Sequence, residues 1–194
     1  MVLSTQEVTP LGVFTNDVFS EQFIKHRRIY ITGTITGELS TDVCASINYL
    51  SAKSNDEIQL VFIDSPGGSV SAGMAIIDTM NTCHCDIRTI ALGQTASMAA
   101  VISSCGTKGK RMIGENARMM IHQALGGASG QTTDILREAE NIRNVNDRVF
   151  SILSRNTGKA ISEISVDCDR DYYLDCNQAI EYGLADHMFE GWDS

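Results

Sequence analysis

Apolar positions along this chain switch between two periods. The run RRIYITG (27–33) is rich in β-branched and aromatic residues and stops at a glycine, which predicts a strand. In STDVCASINYLSA (40–52), Val43, Ile47 and Leu50 fall on one helical face, with Ser40 or Thr41 placed to cap the start. Residues 58–63 are apolar almost without interruption before Pro66-Gly67-Gly68, the profile of a buried parallel strand. SVSAGMAIIDTMN predicts a second helix, DIRTIALG a third strand, and MAAVISSCG a third helix ended by Gly106. Three strand–helix units in tandem imply parallel strands joined by right-handed crossovers.

KRMI and ARMMIHQ then read as short strands. LGGASG (125–130) is too rich in glycine for regular structure. Residues 131–158 predict one long helix. Its Ile135, Ala139, Ile142, Val145, Val149 and Ile152 form a narrow apolar stripe beside a wide polar face. Such a seam suits docking to a partner, and the glycine loop lets the helix project. The tail predicts a short helix, an acidic turn, a helix ended by Gly183, and a last strand. Beyond the strand–helix units there is no internal repeat, and no linker divides the chain. The expectation is one α/β domain.

Composition narrows the function classes. With 194 residues, 43% hydrophobic and 20% charged, the chain can bury a sizeable core. A net charge of -9 argues against a nucleic-acid footprint, which needs a basic face. No apolar run approaches bilayer-spanning length, and no membrane partner is expected. The start, MVLSTQEVTP, lacks a basic n-region and carries Glu7, unlike a secretory signal. The chain is therefore expected in the cytoplasm, or in an organellar matrix or stroma as a mature form. Its six cysteines are expected to be reduced thiols. Cys83-His84-Cys85 places three ligand types too close together to face one tetrahedral ion, so no metal site is expected.

The candidate chemistry centres on Ser97 in GQTASMAAVISSCG. Ser97 follows a strand and is expected in the first turn of a helix, where backbone N–H groups are unpaired and the dipole favours negative charge. Ligands of α/β sheets bind at such strand ends. An isolated serine there is more often a cap or a packing residue, and T-A-S-M-A is not the G-x-S-x-G elbow. Pro66-Gly67-Gly68 leaves backbone amides open to an oxyanion, although Pro-Gly-Gly alone more often marks a tight turn. His122 ends a predicted strand and is a better base candidate than His26, His84 or His187. Asp167, Asp169, Asp171 and Asp175 are all available to orient it, and spacing does not choose among them. Serine, histidine and aspartate on successive element ends form a nucleophile–base–orienter set.

Five segments, in order, sharpen this reading: SPGGSVSAGMAIIDTM, GQTASMAA, GTKGKR, RMMIHQALGGASGQTTDI and DRDYYLDCNQAIEYGLAD. Together they resemble the proteolytic subunits of Clp proteases, the ClpP family, over roughly residues 28–188. The resemblance implies the ClpP/crotonase fold, a superhelix of repeated β-β-α and βα units with a projecting handle helix. It implies Ser97 as nucleophile, His122 as general base, Asp171 as orienting acid, and the amides of Gly68 and Met98 as oxyanion hole. A peptide would add as a strand between the stretch carrying Gly67, Ser69 and Val70 and the segment after His122, including Leu125. Asp169, Arg170 and Gln131 would serve contacts between rings.

The family assembles two stacked heptameric rings, homomeric or heteromeric. An AAA+ unfoldase that uses ATP feeds them unfolded proteins and peptides. This chain has no G-x-x-x-x-G-K-[ST] loop and is expected to need no cofactor of its own. Residues 1–17 would be a pore-loop segment, and residues 18–194 a single peptidase domain with a handle at about 123–157. Asp64 stands where the family usually has asparagine, adding a carboxylate expected to bear on His122. A silent ring subunit with an assembly role is the alternative. A crotonase-type acyl-CoA enzyme is a more distant one.

Overall fold

The computed structural model describes residues 4–9 and 12–192. The chain opens with an antiparallel hairpin of β1 (Ser4–Thr9) and β2 (Gly12–Asp17). Residues 1–3, 10 and 11 of the expected pore-loop segment lie outside the described residues. Helix α1 (Val18–His26) follows, which the apolar pattern does not predict. The Asp17 carboxylate caps it by accepting from the Ser20 amide at 3.0 Å.

The body is a seven-stranded sheet. Strands β3 (Arg28–Ile35), β4 (Ile58–Gly68), β5 (Ile87–Ala96), β6 (Arg111–Ile113) and β9 (His187–Met188) lie side by side and parallel. Helices α2 (Gly37–Lys53), α3 (Val70–Thr82) and α4 (Met98–Ser104) connect them. Ile31, Ile47, Ile58, Phe62, Ile76 and Ile102 are fully buried in one continuous core. The cap of α2 is Thr36, whose hydroxyl accepts from Leu39 N at 3.2 Å, not Ser40 or Thr41. Ser40 is instead buried and donates to the Ala72 carbonyl at 2.8 Å, tying α2 to α3.

Strands β3 and β5 run past the glycines that the pattern reads as their ends, and β4 runs past its apolar stretch to Gly68. Gly33, Asp64 and Gly93 have φ of 66°, 52° and 67°. The registers of β3 on β4 and of β4 on β5 shift beside these residues. They form a row of bulges across three neighbouring strands, and each strand resumes beyond its bulge. Glycine takes the left-handed conformation without strain, and aspartate tolerates it better than most side chains. Pro66-Gly67-Gly68 is therefore not a tight turn but the resumed end of β4, with Gly67 and Gly68 paired to Thr34 and Ile35.

The bulge at Gly93 also splits β5 between two neighbours. Thr89–Ala91 pair with β6, whereas Gln94–Ala96 pair with β7 (Arg118–Ile121), again parallel. Strand β8 (Tyr172–Leu174) then pairs with β7 in antiparallel fashion. No predicted element corresponds to β8.

Helix α5 spans Thr132–Thr157. Residues 132–141 are all exposed, while Asn146, Val149, Phe150 and Leu153 are buried. The predicted stripe thus divides: its N-terminal part, with Ile135, stands in solvent, and its C-terminal part packs on the body. The tail supplies α6 (Ile161–Asp167) and α7 (Cys176–Tyr182), the latter started by a capping box of Asp175 and Gln178. Arg111, 3% exposed, locks this end. Its guanidinium donates to the carbonyls of Ser104, Asn156 and Gly183, at the ends of α4, α5 and α7, and pairs with Asp186.

All six cysteines are free. The Cys85 thiol donates to the Ser54 carbonyl at 3.2 Å, and the Cys83 sulfur accepts from Cys85 N. No helix among the described residues is long and apolar enough to cross a membrane.

Candidate active site

Strand β5 hands over to α4 at Ser97, which has φ 54° and ψ −127°. Left-handed backbone costs a non-glycine residue roughly 1–3 kcal/mol and persists only where its surroundings enforce it. Here the Ser97 amide donates to the Met120 carbonyl at 2.8 Å, and its carbonyl accepts from Val101 N at 3.2 Å. Ser97 is thus the residue before the helix, not part of its first turn. Its side chain caps nothing. The result is a strained strand-to-helix elbow built without the G-x-S-x-G sequence.

Register delivers the histidine. Because β5 and β7 run parallel with Ala96 opposite Met120, Ser97 and His122 leave the sheet at the same, C-terminal edge. His122 Nε2 lies 2.8 Å from Ser97 Oγ. Its Nδ1 lies 2.9 Å from Asp171 Oδ1. The carboxylate holds the proton on Nδ1, which leaves Nε2 to accept from the serine hydroxyl.

Register also decides which aspartate meets the histidine. Strand β8 pairs Ile121 with Tyr172, and the next step of that antiparallel ladder sets Asp171 opposite His122. The other three aspartates have different partners. Asp167 accepts from the Tyr182 hydroxyl at 2.7 Å, Asp169 lies 3.7 Å from Arg170 Nε, and Asp175 caps α7. His26, His84 and His187 are exposed and stand on α1, after α3 and on β9.

The resumed end of β4 closes over the elbow. A Cβ at Gly67 would sit 2.7 Å from the Ala96 carbonyl oxygen and from Ser97 Cβ, and 2.9 Å from Met98 N. Glycine there is a steric requirement as well as a conformational one, since its φ is 89°. Met98 opens α4, so its N–H has no partner within the helix. Its buried side chain fits over Gly73 of α3, where a Cβ would come within 2.3 Å of Met98 Cγ. The Gly68 backbone is pressed against Ile35 of β3.

A cleft of about 440 Å³ opens beside the histidine, lined by His122, Gln123, Leu125, Asp169, Arg170 and Asp171. Leu125 is 84% exposed, and the Arg170 side chain is also largely exposed. Ser69 has internal duties: its N–H donates to the Ile35 carbonyl and its hydroxyl caps α3 through Ala72 N. Val70 is half-buried against the core, and Gln131 is exposed at the start of α5. Asp64 is exposed on its bulge, while both ring nitrogens of His122 face Ser97 and Asp171.

Three anchors went unseen in the sequence pattern. Gln123 N donates to the Cys168 carbonyl at 2.7 Å, Gln123 Nε2 donates to the Asp169 carbonyl at 3.1 Å, and Ala124 N donates to Asn146 Oδ1 at 2.6 Å. Backbone acceptors carry no sequence signal, and Asn146 reads as one more polar residue of α5. The Cys168 thiol itself is inert: burial, then the nearby Asp167, push it up to about 12. Among the described residues, no group of three or more His, Cys, Asp or Glu side chains gathers around a metal-sized position.

Comparison with known proteins identifies the family. The chain matches the sequence model of the Clp protease family over residues 13–191. It is 40% identical over 186 residues to the ATP-dependent Clp protease proteolytic subunits of Streptococcus pyogenes serotypes M5, M49 and M1. Each alignment covers 95% of this chain and 94% of the relative. A fold of this class, a serine elbow facing a histidine, and relatives along nearly the whole chain lead to one conclusion: this chain belongs to the Clp protease family, a family of serine endopeptidases.

Proposed function

We propose that this chain is the proteolytic subunit of an ATP-dependent Clp protease, with Ser97 as nucleophile, His122 as general base and Asp171 as the acid that orients it. The observation that carries the reading is the unbroken line from Ser97 Oγ through the imidazole to Asp171, with contacts of 2.8 and 2.9 Å. His122 Nε2 takes the hydroxyl proton as Ser97 Oγ bonds to the scissile carbonyl carbon. Asp171 stabilises the imidazolium. The amides of Gly68 and Met98 receive the developing oxyanion; one such donor is worth roughly 10²–10³ in rate. His122 then protonates the departing amine, leaving an acyl-enzyme on Ser97. Water enters and gives its proton to His122 as its oxygen bonds to the acyl carbon. The Ser97 Oγ–carbon bond then breaks as His122 returns the proton to Oγ, releasing the acid product.

The peptide lies between the end of β4 and the segment after His122, held mainly by main-chain hydrogen bonds. Gly67 and Val70 line one side and Leu125 the other. Backbone recognition tolerates many sequences, as a degradative peptidase requires.

The working particle is two stacked heptameric rings. The exposed first part of α5, with Ile135 and Leu136, supports docking between rings. Gln131 at its start, and Asp169 and Arg170 beside the site, belong to that contact. An AAA+ unfoldase spends the ATP and delivers unfolded chains, so this subunit needs no cofactor. The cytoplasm is the compartment this assembly fits. An aligned serine, histidine and aspartate is more than a silent ring subunit needs.

The test is hydrolysis of a short fluorogenic peptide and of an unfolded protein, with particle mass measured alongside. The reading predicts a particle of fourteen subunits that cleaves the peptide alone and the protein only with an AAA+ unfoldase and ATP. A particle of that mass inert toward both, with the unfoldase present, contradicts it.

A further inference from the structure

The segment after His122 has no regular secondary structure, yet it must present a firm edge to a peptide. Two of its amides are committed to the body. Gln123 N–H goes to the Cys168 carbonyl, just before the turn that carries Asp171. Ala124 N–H goes to the side-chain oxygen of Asn146, on α5, at 2.6 Å. Leu125, the next residue, lines the cleft.

Asn146 sits at a boundary. It is the first buried residue of α5 and is itself 9% exposed. One turn earlier on the same face, Ile142 lies so close to Gly126 that a Cβ there would come within 2.5 Å of Ile142 Cδ1. Residues 124–126 therefore rest along α5, with one polar and one apolar point of contact. The periodicity of α5 gives no reason to bury an amide side chain here, and Val149, Phe150 and Leu153 already supply its apolar anchor. What Asn146 adds is an acceptor for a backbone N–H that would otherwise lack one.

We infer that Asn146 is a positioning residue for peptide binding: its side-chain oxygen fixes Ala124, and through Ala124 the edge that Leu125 offers to substrate. The inference rests on the proposed peptidase reading. It makes a distinction that a general loss of structure would not. Removing the acceptor weakens peptide binding and leaves the reactivity of Ser97 intact, because the serine, histidine and aspartate are held by β5, β7 and β8 rather than by α5.

The experiment uses the full chain in its assembled form. Binding of a short fluorescent peptide is measured by anisotropy in the Ser97→Ala protein, alone and combined with Asn146→Leu or Asn146→Asp. The rate of labelling by a small fluorophosphonate is measured with Ser97 intact. Asn146→Leu, of similar size but without the acceptor, is expected to raise the peptide Kd about tenfold. Its labelling rate is expected to stay within about twofold of wild type. Asn146→Asp keeps an acceptor oxygen, and its Kd is expected to stay within about threefold.

Ala124→Pro removes the donor, so adding Asn146→Leu to it is expected to cost nothing more. That arm decides the matter even where Asn146→Leu alone disturbs folding. An unchanged Kd in Asn146→Leu overturns the inference. So does a labelling rate that falls in step with binding, or an equal further loss in the Ala124→Pro background. Failure of the wild-type protein to label contradicts the peptidase reading instead, and the two failures are read from different assays.

Discussion

Replacing Gly67 by alanine separates steric from conformational effects at the site. The new Cβ would lie 2.7 Å from the Ala96 oxygen and Ser97 Cβ and 2.9 Å from Met98 N, none of them the end of a flexible side chain. Non-bonded heavy atoms settle at about 3.5–4.0 Å. The end of β4 and the Ser97 elbow must therefore separate by close to 1 Å. A misplacement of that size costs about 10²-fold in rate, and losing one oxyanion donor costs about 10²–10³. Gly67→Ala is expected to lower kcat/KM for a short peptide by about 10²–10³-fold.

Gly109 supplies the control. Its φ is 85° against 89° for Gly67, and no atom lies within 4 Å of its would-be Cβ. Gly109→Ala carries the same left-handed strain, roughly 1–2 kcal/mol, without the clash. For a domain of this size that strain lowers Tm by about 2–8 °C, with peptide hydrolysis expected within about twofold of wild type. The assay is steady-state peptide hydrolysis of both variants beside thermal melts. Equal, small activity losses in the two would refute the reasoning, because the effect of Gly67 would then be backbone strain alone.

Two further substitutions test other joints. Asp171→Asn keeps the shape but no longer holds the proton on Nδ1 of His122, and kcat is expected to fall about 10²–10⁴-fold, with far-UV circular dichroism unchanged. Asp186→Ala leaves Arg111 buried without its carboxylate, costing about 3–5 kcal/mol, read as a Tm lower by about 10 °C at pH 7. Burial pushes the Asp186 carboxyl up, but hydrogen bonds from the Arg111 side chain and the Arg111 and Gly109 amides outweigh it and hold the group below its ordinary range. Its contribution is therefore full above a pH of about 4 and lost as pH falls through the depressed folded value. The acid decline of Tm is expected to be shallower in Asp186→Ala than in wild type.

The repeating units and the long helix were legible because burial imposes a period on apolar residues. Helix α3 matches its pattern to within a residue, and α4 covers the run from Met98 but leaves Ser97 just outside its first turn. Strand ends were misplaced for one shared reason. Gly33 and Gly93 look like terminators, yet, like Asp64 between them, they are bulges inside strands that continue. A glycine says that the backbone turns left-handed, and says nothing about whether pairing resumes. Helix α1 escaped because none of its residues is fully buried, so its apolar pattern is weak.

The site was legible in its residue types and not in its geometry. The strained conformation of Ser97 follows from pairing with Met120, which is far away in sequence. The choice among four aspartates follows from β8, a three-residue strand with two exposed tyrosines and no clear alternation. The family resemblance implies Asp171 where spacing does not choose, and the register of β8 on β7 is what brings that aspartate to His122.

The central claim is that Ser97 is the nucleophile, activated by His122. It is tested most directly by treating the protein with a fluorophosphonate and mapping the adduct by peptide mass spectrometry. The account predicts one adduct, on Ser97, absent in Ser97→Ala and formed far more slowly in His122→Ala. An adduct on another residue, or labelling that persists in Ser97→Ala, would contradict it.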